Sequence, residues 1–167
     1  SGDWSSDVCS SDLEIVITPT TKDENDLPIS KEEIIEKDLL TEEQFSFVYS
    51  KALELYKFGV YVVGQRGLIL VDTKYEFGFL DNKIILIDEL HTCDSSRYWF
   101  SDTYSMNTEL NEYNTTSLDK DIIRKYISTT NSTSIPQELV EKTTGVYEHF
   151  YELLCCYHDD CVELKKY

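Results

Sequence analysis

Positive charge is what this chain has least of for its size. Across 167 residues it carries 15 lysines and arginines against 32 aspartates and glutamates, a formal net charge of -17. A protein that grips a polyanion needs a basic surface to displace counterions, so nucleic acid is excluded as an expected partner. Long apolar runs are missing too. Nothing approaches the roughly 20 residues that span a bilayer, and no basic stretch leads into an apolar one as in a secretory signal. The expectation is a soluble, cytoplasmic chain with no membrane partner. The sequons Asn114-Thr115-Thr116 and Asn131-Ser132-Thr133 are therefore read as unused. Cysteine is limited to five residues. Cys155, Cys156, His158 and Cys161 invite a zinc reading, but a structural site normally takes two ligands from each of two knuckles. Adjacent Cys155 and Cys156 also make a poor disulfide pair, so the cysteines read as reduced thiols.

What is present suffices for one domain with a core, since 41% of the residues are hydrophobic. Ser1 to Leu13, rich in serine and aspartate and without usable period, stand apart from the rest. They look like an adaptor-derived peptide and are expected to be non-native or disordered, with no role for Trp4 or Cys9. From Glu14 the pattern changes, with Ile15-Val16-Ile17 reading as a short strand. Ser30-x-x-Glu33 and Thr41-x-x-Gln44 are capping boxes, each predicting a helix start. The second helix is the longer, with a stripe of Phe45, Val48, Tyr49, Ala52, Leu53, Tyr56 and Val60. Gly64 and Gly67 end it.

The most informative stretch runs from Gly67 to Trp99. Leu68 to Phe77 reads as one strand, placing Asp72, Lys74 and Glu76 on a single face, and Ile84 to Ile87 as a second. With Asp81-Asn82-Lys83 as a three-residue loop, Glu76 stands directly opposite Asp88. Like charges so placed repel, and a hard divalent cation between them is the economical remedy. A two-residue turn instead puts the two acids on opposite faces and removes the argument. An exposed hairpin with solvated charges remains the plain alternative.

Farther on, Ser117 reads as the cap of a helix holding Asp119, Lys120, Ile122, Ile123, Arg124 and Tyr126. Lys120 and Arg124 lie four apart on one face of it. Pro136 suits the start of a last helix from Gln137 to about Leu154, buried through Val140, Val146, Tyr147, Phe150, Leu153 and Leu154 and interrupted near Gly145.

Asp72-Thr73-Lys74-Tyr75-Glu76-Phe77-Gly78 resembles the D-x-K-x-E-F-G signature of the SAICAR synthetase family, phosphoribosylaminoimidazole-succinocarboxamide synthases. Leu86-Ile87-Asp88-Glu89 and Asp94-Ser95-Ser96-Arg97-Tyr98-Trp99 are similar to its L-I-D-E and D-S-S-R-[FY]-W segments, with Cys93 where proline is usual. Thr18-Pro19-Thr20-Thr21-Lys22 and Asp26-Leu27-Pro28-Ile29-Ser30 resemble two earlier segments, Asn25 standing where histidine is usual. Leu118-Asp119-Lys120 with Arg124 resembles a D-K-x-x-x-R helix.

The resemblance implies an α+β fold in which an antiparallel sheet with a central β-hairpin is packed by helices, and an ATP-grasp-like or kinase-like relation. It implies that residues 14–167 are the C-terminal catalytic portion, the family's N-terminal lobe being absent here. It also implies an ATP-dependent ligase of purine biosynthesis that joins L-aspartate to carboxyaminoimidazole ribonucleotide, giving SAICAR, ADP and phosphate. In that scheme Glu76 and Asp88 bind Mg²⁺ and nucleotide, and Lys74 and Asp72 are catalytic. Asp94, Ser95, Ser96, Arg97, Lys120, Arg124, Thr21 and Lys22 bind substrate. The competing readings are a non-catalytic remnant or Mg-nucleotide binding module, and a different ATP-dependent ligase sharing the hairpin. The chain alone is expected to fold at least in part, to show some tendency to form homo-oligomers through the face a lobe would cover, and not to turn over.

Overall fold

The computed structural model describes residues 14–22, 26–102, 104, 118 and 120–155. Trp4, Cys9, Asn25, Ser117, Asp119, Cys156, His158, Cys161 and the first sequon lie outside them. The elements in chain order are α1 (Lys31–Glu36), α2 (Glu42–Gly64), β1 (Leu68–Thr73), β2 (Glu76–Leu80), β3 (Lys83–Ile87), β4 (Ser96–Phe100), α3 (Asp121–Thr130) and α4 (Gln137–Cys155). The fold is α+β with two separate antiparallel pairs, β1 with β4 and β2 with β3. The chain divides into two compact units. The first takes its described residues from the chain up to Phe58 and from Tyr75–Asp88, and the second from Gly59–Lys74 and from Glu89 onward.

In the first unit both capping boxes form. Ser30 Oγ accepts from the Glu33 N–H at 3.1 Å while Glu33 Oε2 accepts from the Ser30 N–H at 2.9 Å. Thr41 and Gln44 repeat the exchange at 3.2 and 2.8 Å. Four N–H groups that the first turns leave orphaned are thus satisfied locally. Helix α1 stops at Asp38, whose left-handed φ of 54° lets the Leu39 N–H reach the Ile34 carbonyl at 3.0 Å. Ile29 and Ile34 are the buried apolar residues here. The expected Ile15-Val16-Ile17 strand does not form; the segment makes only an isolated bridge, Thr20 to Pro28.

The β2–β3 hairpin corrects the expected register. Asp81 and Asn82 both take positive φ, 48° and 60°, the geometry of a two-residue type I′ turn. Lys83 is therefore in the ladder opposite Leu80, and Glu76 pairs with Ile87. Asp88 falls beyond the strand at φ 71°, so the like-charge opposition expected of Glu76 and Asp88 is absent. The reason is chemical: Asp and Asn tolerate the left-handed region that a tight turn demands, so no third loop residue is needed. The expectation of one strand from Leu68 to Phe77 also fails. The chain leaves strand geometry at Lys74 and Tyr75, so Asp72, Lys74 and Glu76 do not share a strand face.

The second unit has the denser core. Leu70 lies opposite Tyr98 and Leu68 opposite Phe100, and Val71 is an extra residue that shifts the ladder so that Asp72 meets Arg97 and Thr73 meets Ser96. Leu68, Leu70, Tyr98, Val63, Leu118 and Phe150 are buried, with Tyr98 at 0% exposure. Its ring centroid lies 4.5 Å from that of Phe150, and its hydroxyl donates to the His91 carbonyl at 2.6 Å. Gly59 of α2 is required by close packing: a Cβ there would stand 2.7 Å from the His91 ring and 2.8 Å from Leu70 Cδ2.

Of the expected stripe on α2, Phe45, Val48, Ala52, Leu53, Tyr56 and Val60 are half-buried, whereas Tyr49 is exposed. The fully buried positions are Gly59 and Val63. Helix α3 begins at Asp121, with Lys120 at its cap position and no side-chain capping bond. Helix α4 matches the expected span and runs unbroken through Gly145, burying Thr143 and Phe150 while Val140 stays exposed. Among the described residues no helix is long and apolar enough to cross a membrane.

Candidate functional site

At the end of the β1–β4 ladder in the second unit lies a cavity of about 370 Å³. Its wall gathers Asp72, Lys74, Asp94, Ser95, Ser96, Arg97, Lys120 and Arg124, eight residues singled out from sequence, together with Thr73 and Cys93. Four basic side chains face two carboxylates there. On a chain of net charge -17, that is a local reversal of sign suited to an anionic ligand.

Five of these six charged groups have a named ionic partner. Arg97 Nε lies 2.9 and 3.0 Å from the two Asp72 carboxylate oxygens, and Arg97 Nη2 donates to Oδ2 as well. This bidentate grip follows from the cross-strand register and holds the guanidinium plane. Asp72 therefore orients Arg97, which sequence reading had not assigned to it. Lys120 donates to Asp94, and that bond, with a lesser contribution from Arg124, holds the Asp94 carboxyl below its ordinary pKa. Arg124 lies 3.4 Å from Asp121.

The loop before β4 is built on a reciprocal turn. The Thr92 N–H donates to Ser95 Oγ at 3.2 Å, and Thr92 Oγ1 accepts from the Asp94 and Ser95 N–H groups, each at 3.2 Å. Thr92 Oγ1 donates in turn to Glu89. The Ser96 N–H reaches the Thr92 carbonyl at 3.0 Å, and the Lys74 N–H reaches the Ser95 carbonyl at 3.1 Å. The loop thus keeps a fixed shape without the usual proline before Asp94. Cys93 is buried there as a free thiol. Glu89 and Thr92 were missed from sequence, although the Thr-x-x-Ser spacing was a readable signal of the kind that marks helix caps.

The other predicted site residues lie in the first unit. Lys22 Nζ stands 2.6 Å from both carboxylate oxygens of Glu76, whose side chain is only 13% exposed. Thr21 Oγ1 accepts a 3.4 Å bond from the Leu27 N–H. Asp88 follows β3 directly. The same unit has an open cavity of about 420 Å³, walled mainly by Phe47, Leu55, Phe58, Phe77, Ile84 and Leu86. Its polar residues Lys51 and Glu54 are paired with each other at 2.6 Å, leaving little there for chemistry. Among the described residues no cluster of three His, Cys, Asp or Glu side chains could hold a metal ion. Cys155 is an exposed thiol.

A family model described as SAICAR synthetase matches residues 11–139. The chain is 43% identical over 149 residues to a putative phosphoribosylaminoimidazole-succinocarboxamide synthase 2 of Agrobacterium fabrum, covering 83% of this chain and 47% of that protein. It is 45% identical over 117 residues to the phosphoribosylaminoimidazole-succinocarboxamide synthase of Bacteroides thetaiotaomicron, covering 68% and 37%. Among solved structures it is similar to the SAICAR synthase of Saccharomyces cerevisiae complexed with SAICAR. That match has a TM-score of 0.64 and 33% identity, covering 84% of this chain and 46% of that one. The chain spans about half the length of the Agrobacterium relative.

Proposed function

This chain belongs to the SAICAR synthetase family, ligases of purine biosynthesis, and on that premise we propose that it carries part of the site joining L-aspartate to carboxyaminoimidazole ribonucleotide with consumption of ATP. The observation that carries the reading is the cationic cavity of the second unit. The yeast relative is a complex with SAICAR, a phosphorylated and multiply carboxylated product, and an anionic ligand of that kind needs such a lining. A further structural relative, 23% identical with a TM-score of 0.57, is a complex with ADP.

In the proposed reaction the substrate carboxylate oxygen attacks the γ-phosphorus of ATP and ADP leaves. The aspartate amine then attacks the resulting acyl phosphate, phosphate departs, and the amine gives up its proton. Positioning and charge stabilisation supply most of the help. Arg97, locked by Asp72, is suited to grip the sugar phosphate with a rigid fork, assisted by Ser95, with buried Ser96 behind it. Lys74 balances charge developing at the transferred phosphoryl group. Lys120 and Arg124 complete the anionic lining, and Asp94 keeps Lys120 in place. Thr21 and Lys22 belong to a second substrate-facing segment.

Glu76 and Asp88 are the residues proposed to hold Mg²⁺. Hard carboxylate oxygens at the open end of one hairpin are the donors this ion takes from proteins, and Glu76 already centres both oxygens on a cation, the Lys22 ammonium. The assignment rests on the family signature, since the hairpin register lends it no support. When bound, the ion would neutralise the triphosphate charge. Glu76→Gln and Asp88→Asn should each weaken Mg²⁺-dependent ATP binding by about tenfold or more, read by calorimetric titration. Unchanged affinity in both variants would remove the assignment.

The function itself is tested by exchanging residues 14–155 for the matching segment of an active SAICAR synthetase. Aspartate- and ribonucleotide-dependent ADP release should survive. A folded chimera that binds ATP and the ribonucleotide yet releases no ADP would overturn the proposal.

A further inference from the structure

Neighbouring hydroxyl groups of the second unit lead from Thr92 through Ser95 and Ser96 to Thr73, a residue that the family signature leaves unspecified. Thr92 Oγ1 donates to Glu89, so the Thr92 proton is committed to that carboxyl group. The Thr92 oxygen then takes the Asp94 and Ser95 N–H groups, which fill its acceptor capacity. Ser95 Oγ accepts from the Thr92 N–H and lies 3.3 Å from Ser96 Oγ. Ser96 is 4% exposed, and its hydroxyl donates to Thr73 Oγ1 at 2.8 Å. The phenol of Tyr98 gives its proton to the His91 carbonyl, and its oxygen is a second acceptor beside the Ser96 hydroxyl. The Thr92 proton thus runs to Glu89 and the Ser96 proton the opposite way, so Thr73 receives a bond from buried Ser96.

We propose that Thr73 is a ligand-binding residue, its hydroxyl turned by buried Ser96 into a hydrogen-bond donor toward an oxyanion in the cationic cavity that both residues line. The ligand class is a phosphate or carboxylate oxygen of the substrate, and in naming a substrate the inference rests on the ligase reading above. Ser96 acts through Thr73 as a positioning residue. Its own proton is committed to Thr73, so the hydroxyl proton offered to the cavity is supplied by β1 across the ladder.

The purified chain is titrated, by nuclear magnetic resonance and calorimetry, with three probes: inorganic phosphate, L-aspartate and carboxyaminoimidazole ribonucleotide. Thr73→Val keeps the side-chain shape and removes the hydroxyl; it should weaken at least one probe about tenfold, as expected for a lost hydrogen bond to a charged group. Thr73→Ser should restore most of that affinity. Loss for phosphate and ribonucleotide together identifies a phosphate oxygen, while loss for aspartate identifies a carboxylate. Ser96→Ala should weaken the same probe by a smaller factor, and by nothing further in the Thr73→Val background, a coupling that a merely structural role would not produce. If Ser96→Ala does not fold, the Val and Ser substitutions at Thr73 still decide the matter. Thr73-dependent binding of phosphate or aspartate without any ribonucleotide binding would sink the ligase reading and leave this assignment standing. Equal affinities in wild type and Thr73→Val for all three probes, or no binding of any of them to wild type, overturns it.

Discussion

Replacing Tyr98 by alanine should lower the unfolding free energy of the second unit by about 3 to 5 kcal/mol, the usual range for emptying a large buried aromatic site. The ring is fully enclosed, stacks obliquely on Phe150 at 4.5 Å and holds the His91 carbonyl through its hydroxyl. Against a total stability of roughly 5 to 15 kcal/mol, such a loss leaves little margin. Chemical denaturation monitored by circular dichroism measures it, and a cost under about 1 kcal/mol would show that the core is not centred there. Burial also pushes the Tyr98 phenol up from its ordinary pKa of 10.0 to about 12. With the folded value raised, the stabilisation is intact below pH 10 and is lost as pH climbs from 10 to 12. The full loss is roughly 2 to 3 kcal/mol. Tyr98→Phe should be less stable near neutrality yet decline less steeply across that alkaline window. Parallel profiles for the two proteins would contradict the assignment.

The second large effect is expected at Arg97. Arg97→Lys keeps the charge but cannot reproduce a planar fork that holds Asp72 through Nε and Nη2 and presents its remaining edge to an oxyanion. Affinity for the ribonucleotide should fall by about ten- to a hundredfold, while ATP affinity changes by less than about twofold. Parallel calorimetric titrations with the two ligands decide it, since equal losses would mean that Arg97 does not discriminate the sugar phosphate. Asp72→Asn should reproduce part of the loss, because it frees the guanidinium to leave its plane.

Local rules carried much of the architecture. Ser30 with Glu33 and Thr41 with Gln44 announced α1 and α2, since a capping box is complete within four residues and needs no tertiary information. The span of α4 was legible for a similar reason, with Pro136 before it and a sustained apolar period within it. The hairpin register was not. Whether Asp81-Asn82 or Asp81-Asn82-Lys83 forms the turn depends on two left-handed residues, which sequence permits without requiring. The pairing of β1 with β4 was illegible as well, because a ladder between distant strands leaves no mark in local periodicity. That pairing assembles the site. Asp72 and Arg97 could each be singled out from their motifs, but their mutual grip needed the Val71 bulge. Thr73 fell between two motif positions and carried no signal of its own.

The strand pairing also sets an order of events during folding. Asp81 and Asn82 let β2 and β3 close on each other within about 1 to 10 μs, the time of a local hairpin. The innermost pair of the other ladder, Thr73 and Ser96, is separated by that entire hairpin and the loop behind it. Its partners must find each other across a long loop whose closure entropy is met before any contact repays it. The walls of the cationic cavity therefore come together late. A destabilised hairpin should slow the appearance of the cavity even though none of its residues line it, and a nascent chain cannot begin to build the pocket until β4 has left the ribosome.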